Sequence, residues 1–363
     1  MSLRVLHLPT ATGGNAWGLA QAERTLGIQS DVLVLHDTSM QYPFDFTLDT
    51  WPLTSSMATL KMIITRIKDI LNIRKNYDVF HFNFGTSLID YPEINLTLAD
   101  LPLFQQKGKK NFVTYKGCDA RQKYRTIQRV SSAACHESNC YGGMCDSGKR
   151  DEERRKKIDR FDKYAHHVFA LNPDLLYVLP QRSHFLPYTI ARWNEIETIP
   201  YQTPQKRIKI VHAPTNHVSK GSSYILAALQ KLQHKYPDQI DILIIEGKSH
   251  SEALEIYKTA DLVIDQIMIG WYGALAVEVM KMGKPVMVFI REEDLKFIHP
   301  EMASDCKKTF ILANKETIYD ALCKLVENKD ILINHHYASL EYVQKWHNPL
   351  DTAKKKIQSE YEK

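Results

Sequence analysis

The feature that most limits what this chain can fold into is a series of short apolar runs, each followed by a helical or irregular stretch, that passes once through the first half and then begins again. RVLHL (4–8) reads as a buried strand, GGNAWGLAQAERTLG (13–27) as a glycine turn and a helix closed by Gly27, and DVLVL (31–35) as a second strand. SSMATLKMIITRIKDILNIRK (55–75) has helical spacing, and DVFHFNFG (78–85), NFVTYKG (111–117) and HHVFALN (166–172) read as further strands. Strand–helix alternation of this kind implies a parallel sheet covered on both faces. The series restarts with RIKIVHAP (207–214), an amphipathic helix over 221–237, IDILIIEG (240–247), a helix around 250–259, DLVIDQ (261–266), a helix over 273–282, KPVMVFI (284–290) and TFILAN (309–314). A chain of 363 residues is comfortable for two such domains. WNEIETIPYQTPQK (193–206), with two prolines and little apolar content, reads as the linker. The expected division is 1–195, 205–340, and a closing segment, 341–363, within a helical region that starts near 336.

Composition narrows the partners. A net charge of +5 suits an anionic ligand or weak contact with an anionic membrane surface and is too small to argue for nucleic acid. No apolar run reaches the roughly 20 residues of a membrane span, and the opening MSLRVLHLPTATGG is followed by a glycine turn instead of a cleavage site, so a cytoplasmic protein is expected. Six cysteines in a reducing compartment do not read as a disulfide framework. Cys118, Cys135, Cys140 and Cys145, with His136 adjacent, form a candidate structural zinc site. Their spacing is not the usual Cys-x2-Cys, and unligated thiols are the plainer reading. RDEERRKK (150–157) reads as a solvated mixed-charge face, with peripheral membrane contact as a second reading.

Two segments of the second half carry chemistry. In VHAPTNHVSKGSSYILAAL (211–229) a strand ends, a polar loop with Asn216 and His217 follows, and a helix begins beside Lys220-Gly221-Ser222. Helix N-terminal amides plus a lysine suit a diphosphate, although a β–α loop with one exposed lysine would look the same. In DLVIDQIMIGWYGALAVEVMKMGKPV (261–286) a strand ends in Asp265-Gln266, a loop carries Gly270, Tyr272 and Gly273, and Glu278 lies more than a turn into an apolar helix. A carboxylate there can accept two hydrogen bonds from ribose hydroxyls, or it can be the solvent-facing residue of an amphipathic helix.

Loop–glycine–helix–Glu–x–Met–x–x–Gly–x–Pro–Val in a second Rossmann-like domain resembles the donor-site signature of GT-B glycosyltransferases, above all the retaining, family-4-like group. The 207–229 element resembles that family's phosphate-contacting loop, RVLHLPTATGGNAWGLAQAERTLG its N-terminal loop and helix, and the closing helix the one that crosses back to the first domain. The resemblance implies two Rossmann-like domains facing a central cleft, with a donor domain at 205–340. It implies transfer of a sugar from a nucleotide-diphosphate sugar, UDP or GDP, to a glycan, lipid or protein acceptor, with retention and no metal, in polysaccharide or glycoconjugate synthesis. A lipid-linked acceptor would place the chain at the inner membrane face.

By position, Glu278 matches the ribose-binding glutamate, Gly273 and its neighbours the diphosphate contacts, Lys220 the lysine that neutralises the diphosphate, and Gly13, Gly14 and Asn15 the glycine loop near phosphates and acceptor. Lys116 stands where a histidine is common, with Asp119 and Arg121 as acceptor or phosphate contacts, and Lys220 and Asp119 as the catalytic candidates. Asp119 capping the next helix is the plainer alternative. The family's first glutamate falls on Gly270, and its arginine on Thr215 with His217 the nearest substitute. Asp265, Gln266 and Tyr272 are expected to take part of that role. The alternatives are a nucleotide-sugar epimerase on the same fold and a non-catalytic nucleotide-sugar-binding subunit.

Overall fold

The computed structural model describes residues 3–35, 40–48, 50, 55–204, 206–354 and 361. The chain divides into two compact units, the first made of 1–122, 151–191 and 349–363, the second of 123–150 and 192–348. In chain order the first half gives β1 (Arg4–Leu8), α1 (Asn15–Thr25), β2 (Gln29–Val34), β3 (Phe46–Thr47), α2 (Ser56–Asn76), β4 (Val79–Asn83), β5 (Lys110–Tyr115), α3 (Lys123–Arg129), α4 (Lys149–Tyr164), β6 (His167–Ala170) and β7 (His184–Phe185). The second gives β8 (Ile208–His212), α5 (His217–Lys220), α6 (Ser222–Lys235), β9 (Ile240–Ile244), α7 (His250–Tyr257), β10 (Leu262–Gln266), α8 (Ala274–Lys281), β11 (Val286–Val288), α9 (Pro300–Thr309), β12 (Ile311–Leu312), α10 (Ile318–Glu327), α11 (Ile331–His347) and α12 (Pro349–Thr352).

Both sheets are parallel throughout. Their orders are β3-β2-β1-β4-β5-β6-β7 and β12-β11-β10-β8-β9. In the first, Val5 pairs with both Ser30 and Val79, so β1 is central. A parallel sheet must be covered on both faces. Ile70 and Ile73 of α2 and Ile158 and Phe161 of α4 join the core formed by Leu6, Leu8, Phe80, Phe82 and Val113. In the second unit Ile225, Leu229 and Leu232 of α6 and Leu322 of α10 pack with Ile208, Ile210, Leu262 and Ile264. Burial of side chains of this size stabilises each unit by about 2 kcal/mol per residue. Strand order reverses between β1 and β4 in the first sheet and between β8 and β10 in the second, and ligands of open α/β sheets bind beyond the strand carboxyl ends at such switch points.

Segment 123–150, assigned by sequence order to the first domain, groups with the second unit. Charge holds it there. The Asp294 carboxylate, fully buried, is shared by Arg129 at 2.5 Å and Arg291 at 3.3 Å, and Arg291 also donates to the Ser132 carbonyl at 3.0 Å. Glu137 accepts from the Tyr224 hydroxyl at 3.3 Å, and the Ala134 amide donates to the Met268 carbonyl.

The expected closing helix is broken at Asn348-Pro349, because a proline lacks the amide a continuing helix needs. Residues 355–360 and 362–363 of that segment lie outside the described residues. Tyr361 is buried in the first unit: its ring stacks on Phe112 at 5.1 Å, its hydroxyl donates to Glu23 Oε1 at 2.7 Å, and its carbonyl accepts from Lys110 Nζ. Glu23 Oε2 accepts from Ser30 at 2.6 Å and lies 2.9 Å from His7 Nε2, so the tyrosine completes a buried polar cluster. We expect Tyr361→Ala to destabilise the first unit by about 3–4 kcal/mol through a cavity and an under-bonded carboxylate, and Tyr361→Phe by about 1 kcal/mol. Urea unfolding followed separately for each unit checks this.

Candidate functional site

The best-formed polar constellation of the second unit lies at the β8/β10 switch point. Asp265, at the end of β10, is fully buried. Its carboxylate accepts from Lys220 Nζ and, at 2.7 Å, from the Gly273 amide. Lys220 ends α5 and Gly273 is the N-cap of α8, so one carboxylate ties the phosphate-loop candidate to the start of the helix carrying Glu278. A Cβ at Gly273 would meet Asp265 Oδ2 at 3.6 Å and Lys220 Nζ at 3.7 Å, ordinary contact distances. The lysine ammonium and the N-terminus of α8 thus meet at one carboxylate, a pairing of positive ends suited to an anion. Asn216 caps α5 by accepting from the Ser219 amide at 2.8 Å, and His217 Nε2 lies 2.9 Å from Glu246 Oε1.

Glu278 is not solvent-facing. It is 3% exposed, and its Oε1 lies 2.7 Å from Nε2 of the equally buried His250 at the start of α7. Sequence reasoning missed His250; the signal was a histidine inside the Ser249-His250-Ser251-Glu252 capping box that starts α7.

Two residues expected at the ligand are committed elsewhere. The Gln266 side chain donates to the carbonyls of Trp271 and Phe289 and accepts from the amides of Met268 and Ile269, which uses both N–H groups and both lone pairs. It shapes the 267–271 loop. The Tyr272 hydroxyl bonds Tyr342 and His347 at 2.8 and 2.9 Å, and its ring stacks on Trp271 and Phe310. Both side chains are spent on internal bonds, as a spaced sequence motif gives no view of which side a loop residue turns.

Gly270 has φ +93°, and a Cβ there would lie 2.3 Å from Arg291 Nη1. Arg291 is buried and also donates to the Ile269 carbonyl at 3.1 Å. The position where the family's first glutamate would stand is therefore filled from behind by a guanidinium. Gly270→Ala is expected to lower stability by about 2 kcal/mol or more, through the backbone conformation and the clash, and Gly270→Glu is expected to lose stability and to gain no ligand affinity. Thermal melting of both variants checks this.

His212, at the end of β8, donates from Nδ1 to the Ile264 carbonyl at 2.8 Å and accepts at Nε2 from the Ser222 hydroxyl at 2.8 Å, which fixes one neutral tautomer. Burial pushes its pKa down to about 4. With an unfolded value near 6.5, the unfolded chain takes up this proton first as pH falls, so the contribution is whole above about 6.5 and lost progressively toward 4, about 3 kcal/mol in all. Urea titrations across that window should show this slope, and His212→Gln should flatten it.

In the first unit, the Asp119 carboxylate accepts from the Lys116 amide at 3.0–3.1 Å and the Gly117 amide at 2.6 Å. It closes the turn after β5 and does not cap the next helix, and burial raises its pKa. Arg121 makes a two-point pair with Asp174 at 2.7 and 3.1 Å, and Asn15 Oδ1 accepts from the amide and hydroxyl of Thr189. Asp119, Arg121 and Asn15 thus hold the fold instead of offering free groups. Gly14 packs against Ala191, whereas the Cβ position of Gly13 is open. The residue this edge does offer is Lys116. Its Nζ donates to the Thr12 carbonyl at 2.6 Å beside the glycine loop, and burial lowers its pKa to about 8. His81 is a core histidine, bonded to Thr114 at 2.6 Å with burial holding its pKa well below 6.5.

The cysteine cluster is divided. Cys118 belongs to the first unit and Cys135, Cys140 and Cys145 to the second, and none of the four is in a disulfide. Among the described residues, no three His, Cys, Asp or Glu side chains gather at metal-binding geometry.

No family model matches this sequence, and no curated protein does. Solved structures do match its fold. The sucrose-phosphate synthase of Thermosynechococcus elongatus aligns over 99% of this chain and 98% of its own at TM-score 0.58 and 16% identity. The S. aureus MnaA–UDP co-structure aligns over 98% and 94% at 0.53 and 14%, and the spinosyn forosaminyltransferase SpnP over the whole of both chains at 0.51 and 12%. The chain has the α/β fold of the GT-B class.

Proposed function

We propose that the protein is a glycosyltransferase whose second unit binds a nucleotide-diphosphate sugar, UDP- or GDP-linked. The observation that carries this is the joining of Lys220, Asp265 and Gly273 at the β8/β10 switch point. With no ligand, the Lys220 charge rests on Asp265. A diphosphate entering that space accepts from Lys220 and from the first amides of α8, and the charge-assisted bonds strengthen as the leaving phosphate becomes more negative. Glu278, oriented by His250 through Oε1, keeps Oε2 for ribose hydroxyls. Asn216 and His217 border the same loop.

The bond between the sugar anomeric carbon and the phosphate oxygen breaks, the acceptor oxygen bonds that carbon, and the acceptor proton passes to the departing phosphate. This same-face scheme retains configuration and asks for neither a metal nor a separate base. It accords with Asp119 being spent on backbone amides. On the first unit the acceptor edge is Gly13 and Lys116, and a glycan or lipid-linked acceptor in glycoconjugate synthesis fits the reading. The MnaA co-structure contains UDP, and SpnP is described as a sugar transferase, which supports a nucleotide-sugar ligand.

The test is a thermal-shift and binding screen with UDP, GDP, ADP, CMP and their sugars. One nucleotide should stabilise the protein clearly. Gly273→Ala should leave melting unchanged, as its nearest neighbours lie at 3.6 Å, and weaken that nucleotide about tenfold or more by filling its approach. Lys220→Ala should weaken it similarly. No response to any nucleotide overturns the reading. Turnover of donor without acceptor would mean an epimerase, and binding without turnover over a broad acceptor panel a non-catalytic subunit.

A further inference from the structure

α2 buries one face through Met62, Arg66, Ile70 and Ile73. Its opposite face is not polar. Met57, Leu60, Ile64 and Leu71 are 77%, 54%, 46% and 42% exposed. A surface helix of a soluble domain ordinarily turns charged and polar side chains outward, so four large apolar ones in a row require an account. At 100° per residue they form one strip about 20 Å long. Lys61, Lys68 and Lys75, also exposed, form a second strip beside the first on the same outward face. The one acid of the helix, Asp69, is turned aside and pairs with Arg66 at 3.3 Å.

The basic run at 150–157 is a useful contrast. There Lys156 pairs with Glu152 at 2.7 Å, Lys157 with Asp90 at 2.5 Å and Arg154 with Asp151 at 3.5 Å, and no apolar strip accompanies them. Three cations of that run are thus paired with acids, whereas the outward lysines of α2 have no acid on their own face.

We propose that α2 is a membrane-docking helix that lies flat on an anionic lipid surface. The four apolar side chains enter the boundary between headgroups and acyl chains, and the lysine strip reaches the lipid phosphates. No helix among the described residues is long and apolar enough to cross a membrane, so this contact is peripheral. Charge complementarity selects lipid over a second copy of the chain. An antiparallel two-fold pairing that lays apolar strip on apolar strip also lays lysine on lysine, with no acid on that helix face to offset them. This surface stands apart from the donor-site reading, and either can fail alone.

The experiment is vesicle flotation of the full chain with phosphatidylcholine alone and with about one-third phosphatidylglycerol. Binding to the anionic vesicles should exceed that to neutral ones by about tenfold or more and fall as salt is raised. Leu60→Glu with Ile64→Glu should abolish it, and Lys61→Gln and Lys68→Gln should each weaken it about fivefold. Melting should not change in any of these variants, because the side chains are exposed. No preference for anionic vesicles, or binding that survives the double glutamate variant, overturns the proposal. So does a concentration-dependent dimer, seen by sedimentation, that Ile64→Glu dissolves.

Discussion

The second unit depends on how the buried Asp265 carboxylate is paired. A carboxylate with no exposure is tolerated only with opposite charge and donors around it. Lys220 and the Gly273 amide supply both, and they come from opposite sides of the switch point. The loop leaving β8 and the helix following β10 are therefore fixed relative to one another by one ion. The next residue, Gln266, extends this by saturating four backbone groups of its own loop and of Phe289. The charged group at the end of β10 holds the Lys220 ammonium beside the start of α8, and the neutral one next to it bonds the backbone of its own loop.

The same economy explains the most visible departure from the GT-B signature. Where a glutamate is expected, the chain has a glycine, and Arg291 approaches so closely that no side chain fits. Arg291 in turn shares Asp294 with Arg129, in the segment that joins this unit from the middle of the first. The glycine, the buried arginine and the inserted segment form one arrangement. A glutamate at 270 would need space that the insertion's own anchor occupies.

The repeated strand–helix alternation was legible from sequence because burial on both faces imposes it residue by residue, and so was the start of the apolar helix at Gly273. Lys220 and Asp265 were named singly, but their pairing was not, since it joins residues 45 positions apart through the switch point. His250 escaped notice because its partner lies 28 residues away on another helix. Tyr272, Gln266, Asp119 and Arg121 were assigned outward-facing roles that the fold gives to internal bonds. In each case the residue type was right for ligand chemistry, and what sequence lacks is the direction in which a loop side chain turns. The placement of 123–150 was hidden for a different reason: chain order is a good guide to domain membership only until a segment leaves one core and returns.

Free charge, not total charge, separates the surfaces of this molecule. Its net +5 is modest, and many cations are already matched: those of α4 by acids nearby, Arg121 by Asp174, Arg129 and Arg291 by Asp294. Two kinds of cation differ. Lys116 is held at the glycine loop by a carbonyl, with burial lowering its affinity for a proton, so an arriving anion would strengthen it as a cation. The lysines on the outward face of α2 sit beside exposed apolar side chains, where water cannot satisfy both strips and a lipid boundary can. A mild basic excess read from composition alone could not distinguish a substrate anion from a membrane anion. On the two readings proposed above, the distribution of counter-ions separates them, one at the strand ends of the sheets and the other on a single helix face.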